Sequence, residues 1–263
     1  MRCPTPLAGC VLAFFTASTF AAGVLKLPLE DNLGIKPEVI IEPDGTKIEW
    51  TEFFQSASSD VAVGRSTLSG SLMPASTLDY TDCFLIARGR STVIAEGKTY
   101  HVRAGDIVLL PRGVKVEGRD FKNYVHFAAS FETQPDAKSN GPRRLRLLRP
   151  DLLKDSDFTV EGHDMRHVFY EGARGVVVRA WQSTEADMTT DFFNSPWSEL
   201  SFITAGTGTV TNEDGSVVPF KAGDAIFIAK GQKVEIATHK LRKLAVVFDQ
   251  QALSVAQTAH KNP

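Results

Sequence analysis

Cysteine is scarce, with three in 263 residues. Cys3 and Cys10 lie in an N-terminal segment with leader character, so Cys83 stands alone in the body of the chain. A lone cysteine closes no intrachain disulfide, and the fold must rest on its apolar core. The run Cys83-Phe84-Leu85-Ile86 reads as a buried strand with a packed thiol, not a nucleophile. Charge of one sign is lacking too. Lys plus Arg number 29 and Asp plus Glu 31, and a net charge of −2 gives no basic field for nucleic acid. No apolar run reaches the about 20 residues of a spanning helix, so stable membrane insertion is not expected. A P-loop, a Gly-x-Ser-x-Gly elbow, a dinucleotide fingerprint and a Cys/His zinc pattern are all missing. No catalytic residue is assigned on sequence, and no cofactor is expected.

What is present begins with residues 1–22, MRCPTPLAGCVLAFFTASTFAA. One cation, Arg2, precedes an apolar stretch that ends in small residues, the pattern of a secretory signal peptide cleaved near Ala21 or Ala22. Its removal takes away Arg2 and moves the net charge from −2 to −3. Leu7-Ala8-Gly9-Cys10 has lipobox character, but the apolar run follows Cys10 instead of preceding it. The expected location is the bacterial periplasm, or outside the cell.

The body of the chain contains a repeat. Residues 89–118 read GRSTVIAEGKTYHVRAGDIVLLPRGVKVEG and residues 206–236 read GTGTVTNEDGSVVPFKAGDAIFIAKGQKVEI. Gly89/Gly206, Thr92/Thr209, Ala104-Gly105-Asp106/Ala222-Gly223-Asp224, Gly113/Gly231 and Lys115-Val116-Glu117/Lys233-Val234-Glu235 coincide. An offset of about half the chain implies two homologous domains and not a solenoid. Short apolar or alternating runs bounded by Gly, Asp, Asn and Pro make each copy strand-like. Close turns imply an all-β sandwich or barrel. The expected bounds are 23–49 for an N-terminal arm, 50–133 and 161–250 for the two domains, 134–160 for a linker, and 251–263 for a tail. The linker carries Arg143, Arg144, Arg146 and Arg149, which read as a solvated face or as interdomain ion pairs.

The repeated unit resembles the cupin superfamily. Gly105, Pro111 and Gly113 fit the second cupin motif, as do Gly223 and Gly231 with Ala229 in the proline place. Glu199 and Gly206 keep the Glu-to-Gly spacing of the first motif, and Asp82 and Gly89 keep it with a shorter acid. Val178-Arg179-Ala180-Trp181, Trp197-Ser198-Glu199 and Ala222-Gly223-Asp224 are similar to the group that holds ureidoglycine aminohydrolases and ethanolamine-utilisation cupins. The resemblance covers roughly residues 50–132 and 165–249. It implies two tandem cupin jelly-roll (double-stranded β-helix) barrels, with homodimers as a family habit. Fold alone does not carry activity.

Metal-dependent cupins take a His-x-His pair, a Glu and a later His, a set that suits a first-row divalent ion. Here the His-x-His places fall at Phe192 and Asn194, and at Ala75 and Thr77, while the later His places hold Val234 and Val116. No metal site is therefore expected. Glu199 and Asp82 would point into their barrels. Glu199 reads equally as a ligand-binding carboxylate and as a paired structural acid; Asp82 reads better as the latter. Trp181 and Asn194 join Glu199 as candidates for binding a small organic ligand. His126, in a strand leading out of the first barrel, either lines that cavity or faces outward. Three functions compete: a metal-free binder of a small polar metabolite, a metal-dependent hydrolase or isomerase, and a non-catalytic structural or interaction module.

Overall fold

The computed structural model of the chain describes residues 24–30, 33–56, 61–131, 144–149, 155–161, 164–172 and 175–248. The leader and the C-terminal tail lie outside the described residues, as does much of the linker. The described chain forms two sheets. The first holds β2 (Glu38–Ile41), β3 (Lys47–Gln55), β4 (Val61–Thr77), β5 (Thr81–Ala95), β6 (Lys98–Arg103), β7 (Ile107–Leu110), β8 (Lys115–Phe131) and β9 (Arg146–Leu148). The second holds β1 (Leu25–Lys26), β10 (Thr159–Glu161), β11 (Asp164–Glu171), β12 (Val177–Ser183), β13 (Asp187–Thr189), β14 (Phe193–Asn194), β15 (Ser198–Asn212), β16 (Val217–Lys221), β17 (Ala225–Ile228) and β18 (Lys233–Phe248). All pairings are antiparallel, and each sheet curls into a jelly-roll barrel.

The curling depends on long strands that bend. Strand β15 pairs with β18 along nearly its whole length, with register shifts around Ala205. Gly206 sits at that bend with φ of 80°, and a Cβ there would lie 2.4 Å from the carbonyl oxygens of His239 and Lys240. The first barrel repeats the device between β5 and β8. Gly89 has φ of 80°, and a Cβ would meet the carbonyl oxygens of Lys122 and Asn123 at 2.3 and 2.4 Å. Only glycine combines this backbone conformation with so close an approach. The repeated glycines are therefore the corners of the two barrels.

Alternation along the strands then divides the core. Cys83 and Leu85 on β5 point one way and Phe84 and Ile86 the other, in keeping with the two-residue period of a strand. The first pair joins Phe127, Phe131, Leu200, Phe202, Phe227 and Phe248 in a layer between the barrels. Phe54 of β3 reaches across to Phe227 and Phe248, at ring-centroid distances of 4.7 and 5.9 Å. Cys83 is fully buried in this layer, and burial pushes its thiol pKa far up, against nucleophilic chemistry.

The barrels also exchange their leading strands. β1, from the N-terminal arm, pairs with β17 of the second barrel. β9, from the linker, pairs with β7 of the first. Each exchanged segment brings a cation to the aspartate of an Ala-Gly-Asp turn, as Lys26–Asp224 at 2.7 Å and Arg149–Asp106 at 3.1 Å.

Candidate functional site

Cross-strand register decides what enters the second barrel. Glu199 pairs with Ile228 and Val247, Ser201 with Ile226 and Ala245, Arg179 with Ala245, and Trp181 with Lys243. Residues directly opposite one another share a face. These side chains therefore lie on the face opposite Leu200, Phe202, Leu244 and Val246, which fill the layer between barrels.

Glu199 is the centre of the group and is 7% exposed. Its carboxylate accepts hydrogen bonds from Lys243 Nζ, from Ser201 Oγ, and from Trp197 Nε1 at 3.3 Å. Lys243 Nζ also lies 5.2 Å from the Trp181 ring centroid, and the Arg179 guanidinium 5.4 Å from that of Trp197, both cation–π distances. Burial by itself would raise the Glu199 pKa. The Lys243 ammonium and the Arg179 guanidinium outweigh it, with help from the Lys243 and Ser201 hydrogen bonds, and hold the carboxyl at about 2. Glu199 is thus a carboxylate at any physiological pH. The entry segment is pinned: Ser195 Oγ donates to Trp197 O at 2.6 Å, and Lys230 N donates to Ser198 Oγ at 3.1 Å.

The first barrel has the same positions with different chemistry. Asp82 stands in the Glu199 place, opposite Ser130, and His126 in the Lys243 place, opposite Ile86. These two side chains are shorter, and they stand four residues apart in register, about 13 Å along the strand. Asp82 is only hydrogen-bonded by Ser130 Oγ at 3.0 Å and by the Cys83 backbone, and desolvation carries its pKa up to about 7. His126 packs against Phe84 with tilted rings at a centroid distance of 4.6 Å, its Nδ1 has no partner among the described residues, and desolvation lowers its pKa to about 3. Trp50 lies over Gly64, where a Cβ would meet its ring at 2.4 Å. With Phe84, Ile86, Phe121 and Tyr124 it fills this barrel with the chain's own side chains.

Of the residues singled out in sequence, Glu199 and Trp181 come together, each in contact with Lys243. Asp82 and His126 share the first barrel without meeting. Asn194 is exposed on β14, and no hydrogen bond or ion pair joins it to Glu199 among the described residues. Phe192 is 44% exposed, and the residue between them, Phe193, packs against the barrel core. The His-x-His places of the second barrel therefore face outward, one residue out of phase with the inward positions. Lys243, Arg179 and Ser201 had no assigned role. Their signal was alternation with Trp181 and Glu199, readable only once the strand face is fixed.

A cupin fold invites a metal, and the donors do not fit one. Val116 and Val234 are buried in the apolar clusters and carry no lone pair. Glu199 is already engaged by an ammonium. Among the described residues, no three His, Cys, Asp or Glu side chains gather as a ligand set.

No curated protein matches the chain in sequence. A family model described as ethanolamine utilisation protein EutQ matches residues 42–131, which make up most of the first barrel. A solved structure of a DUF861 protein of unknown function from Pseudomonas syringae pv. tomato superposes with a TM-score of 0.66 at 18% identity, covering 86% of this chain and 100% of that one. A cupin 2 conserved barrel domain protein from Leptotrichia buccalis gives 0.58 at 11% identity, covering 77% and 89%. Protein Ylba from E. coli, also DUF861, gives 0.50 at 12%, covering 81% and 95%. At such identities the likeness is one of fold. The described chain is a tandem of two cupin jelly-roll barrels, of which residues 42–131 match the EutQ model, and its fold follows that of a DUF861 structure over that structure's full length.

Proposed function

We propose that this chain is an exported bicupin in which the second barrel binds a small polar metabolite without a metal, while the first is its packed structural partner. The observation that carries the reading is the Glu199 carboxylate, held ionised by Lys243 and Arg179, which lie over the faces of Trp181 and Trp197, while the Trp197 indole N–H donates to the carboxylate. Aromatic walls with a few fixed polar groups suit a small organic ligand. The first barrel holds the larger of the two interior apolar clusters, which favours a structural role for that half. Likeness to ureidoglycine aminohydrolases is read as shared fold, because the ligand places of a metal hydrolase hold Val and Phe. Export rests on the leader sequence of residues 1–22. A homodimer joined at strand edges fits the reading, and edge strand β2 leaves Val39 and Ile41 46% and 70% exposed.

A thermal-shift screen of small polar metabolites tests the assignment, since a ligand that binds only the folded chain raises its melting temperature. The expected hit saturates at one molecule per chain, is lost in Trp197→Ala, and is unchanged in Asp82→Asn. A hit that Asp82→Asn abolishes and Trp197→Ala leaves intact would move the site to the first barrel and overturn the proposal.

A further inference from the structure

We infer that the outer face of the first barrel docks an acidic segment of a partner polypeptide, an inference independent of the second-barrel site. Arg90 of β5 stands directly opposite Arg103 of β6 on one side and Lys122 of β8 on the other, so three cations form one row across three strands. All three are exposed, and none of their side chains has an ion pair or hydrogen bond among the described residues. Their chain neighbours Ser91, Val102 and Phe121 are buried, which turns the row outward. Like charges directly opposite one another destabilise a sheet. The fold does not require them, because the second barrel holds Lys221, Thr207 and His239 at the matching places, and Asp187 bonds to His239 Nδ1 at 2.7 Å. Acids near the row are engaged elsewhere: Asp106 with Arg149, Glu117 with Arg119 and Glu30 with Arg88. Asp120, exposed on β8, brings the local charge from +3 to +2. The surroundings then select the class of anion. The chain as a whole carries −2, which repels an extended anionic surface, whereas a row about 10 Å long acts within a screening length of about 8 Å. That favours a narrow chain of charges over a membrane. The next row, His101, Thr92 and Arg119, adds no Phe, Tyr or Trp, so nucleic-acid bases find no stacking platform. A run of Asp or Glu needs only the guanidinium forks of Arg90 and Arg103 and the ammonium of Lys122.

A fluorescein-labelled glutamate decamer, titrated with the full chain at low salt and followed by fluorescence anisotropy, tests the inference. It should bind saturably, one per chain, and weaken as salt is added. Arg90→Thr, which installs the residue found in the second barrel, should weaken the decamer about fivefold, the size of one exposed ion pair. The same variant should melt no lower than wild type, because it breaks the like-charge row. The triple variant Arg90→Thr/Arg103→Thr/Lys122→Thr should abolish binding, and Asp120→Asn should tighten it. Lys98→Ser removes an exposed cation outside the row and should leave binding unchanged. A thymidylate decamer and vesicles of phosphatidylglycerol stand for the other anionic classes and should bind more weakly than the glutamate decamer. Absence of saturable binding, retained binding in the triple variant, or equal losses in Lys98→Ser and Arg90→Thr would each overturn the inference. Tighter binding of the oligonucleotide or the vesicles would overturn the partner class. None of these outcomes bears on the metabolite reading, which the thermal-shift screen decides.

Discussion

Lys243→Met should destabilise the chain by about 3 kcal/mol at neutral pH, read as a lower urea midpoint with an unchanged slope. Methionine keeps the straight apolar stem against Trp181 and removes the ammonium. Glu199 then remains ionised and buried with Ser201, Trp197 and the more distant Arg179, and a buried charge that has lost its partner is costly. The pH dependence has a definite sign. The Glu199 pKa is depressed from 4.5 to about 2, so its stabilisation is complete above about pH 4.5 and is lost as pH falls toward 2. Lys243→Met should flatten that acid limb. The double variant Glu199→Gln/Lys243→Met should recover most of the loss, because removing both charges leaves neither uncompensated. Wild-type stability in Lys243→Met would mean that the ion pair contributes nothing and that the cluster is not organised around it.

The first barrel should show two opposed pH slopes that single variants uncover. Asp82 has its pKa raised from 3.8 to about 7, so the folded chain holds a proton that the unfolded chain has released. Its contribution is present at low pH and disappears as pH rises through about 7. His126 has its pKa lowered from 6.5 to about 3, so between those values the unfolded chain binds the proton. Stability from that source rises with pH up to about 6.5. Between about pH 4 and 6.5 the two nearly cancel in the wild type. Asp82→Asn should leave the histidine slope, with stability rising by about 2 kcal/mol across that window relative to wild type. His126→Phe should leave the aspartate slope, with stability falling by a similar amount. Each change is smaller than the full pKa shift implies because both side chains keep some contact with water. Urea midpoints measured across the window check both signs. Parallel slopes in the two variants would contradict the placement of these groups.

Much of the fold was legible in the repeat, because a barrel corner needs residues of a narrow kind. Gly89 and Gly206 recur because each corner brings a carbonyl within 2.4 Å of where a Cβ would stand. The Ala-Gly-Asp turns recur because Asp106 and Asp224 each accept the backbone N–H three residues back, from Arg103 and Lys221 at 3.0 and 2.8 Å. The exchange of β1 and β9 between barrels was hidden, since two- and three-residue strands carry no period. The site was half legible. Glu199 and Trp181 follow from motif spacing. Lys243 does not, because Arg242 and Lys243 stand side by side and only the pairing of Lys243 with Trp181 and Ile203 decides which enters the barrel. Asn194 is exposed beside the inward Phe193, since one step along a strand turns a side chain from the interior to solvent.

The central claim is that an ammonium, and not a metal ion, stands against Glu199. Elemental mass spectrometry of untagged protein, as purified and after incubation with manganese, iron, nickel and zinc, tests it most directly. The expected result is metal far below one ion per chain in every sample. Near-stoichiometric metal that is lost on Glu199→Gln would contradict the account and return the second barrel to the metal-dependent class.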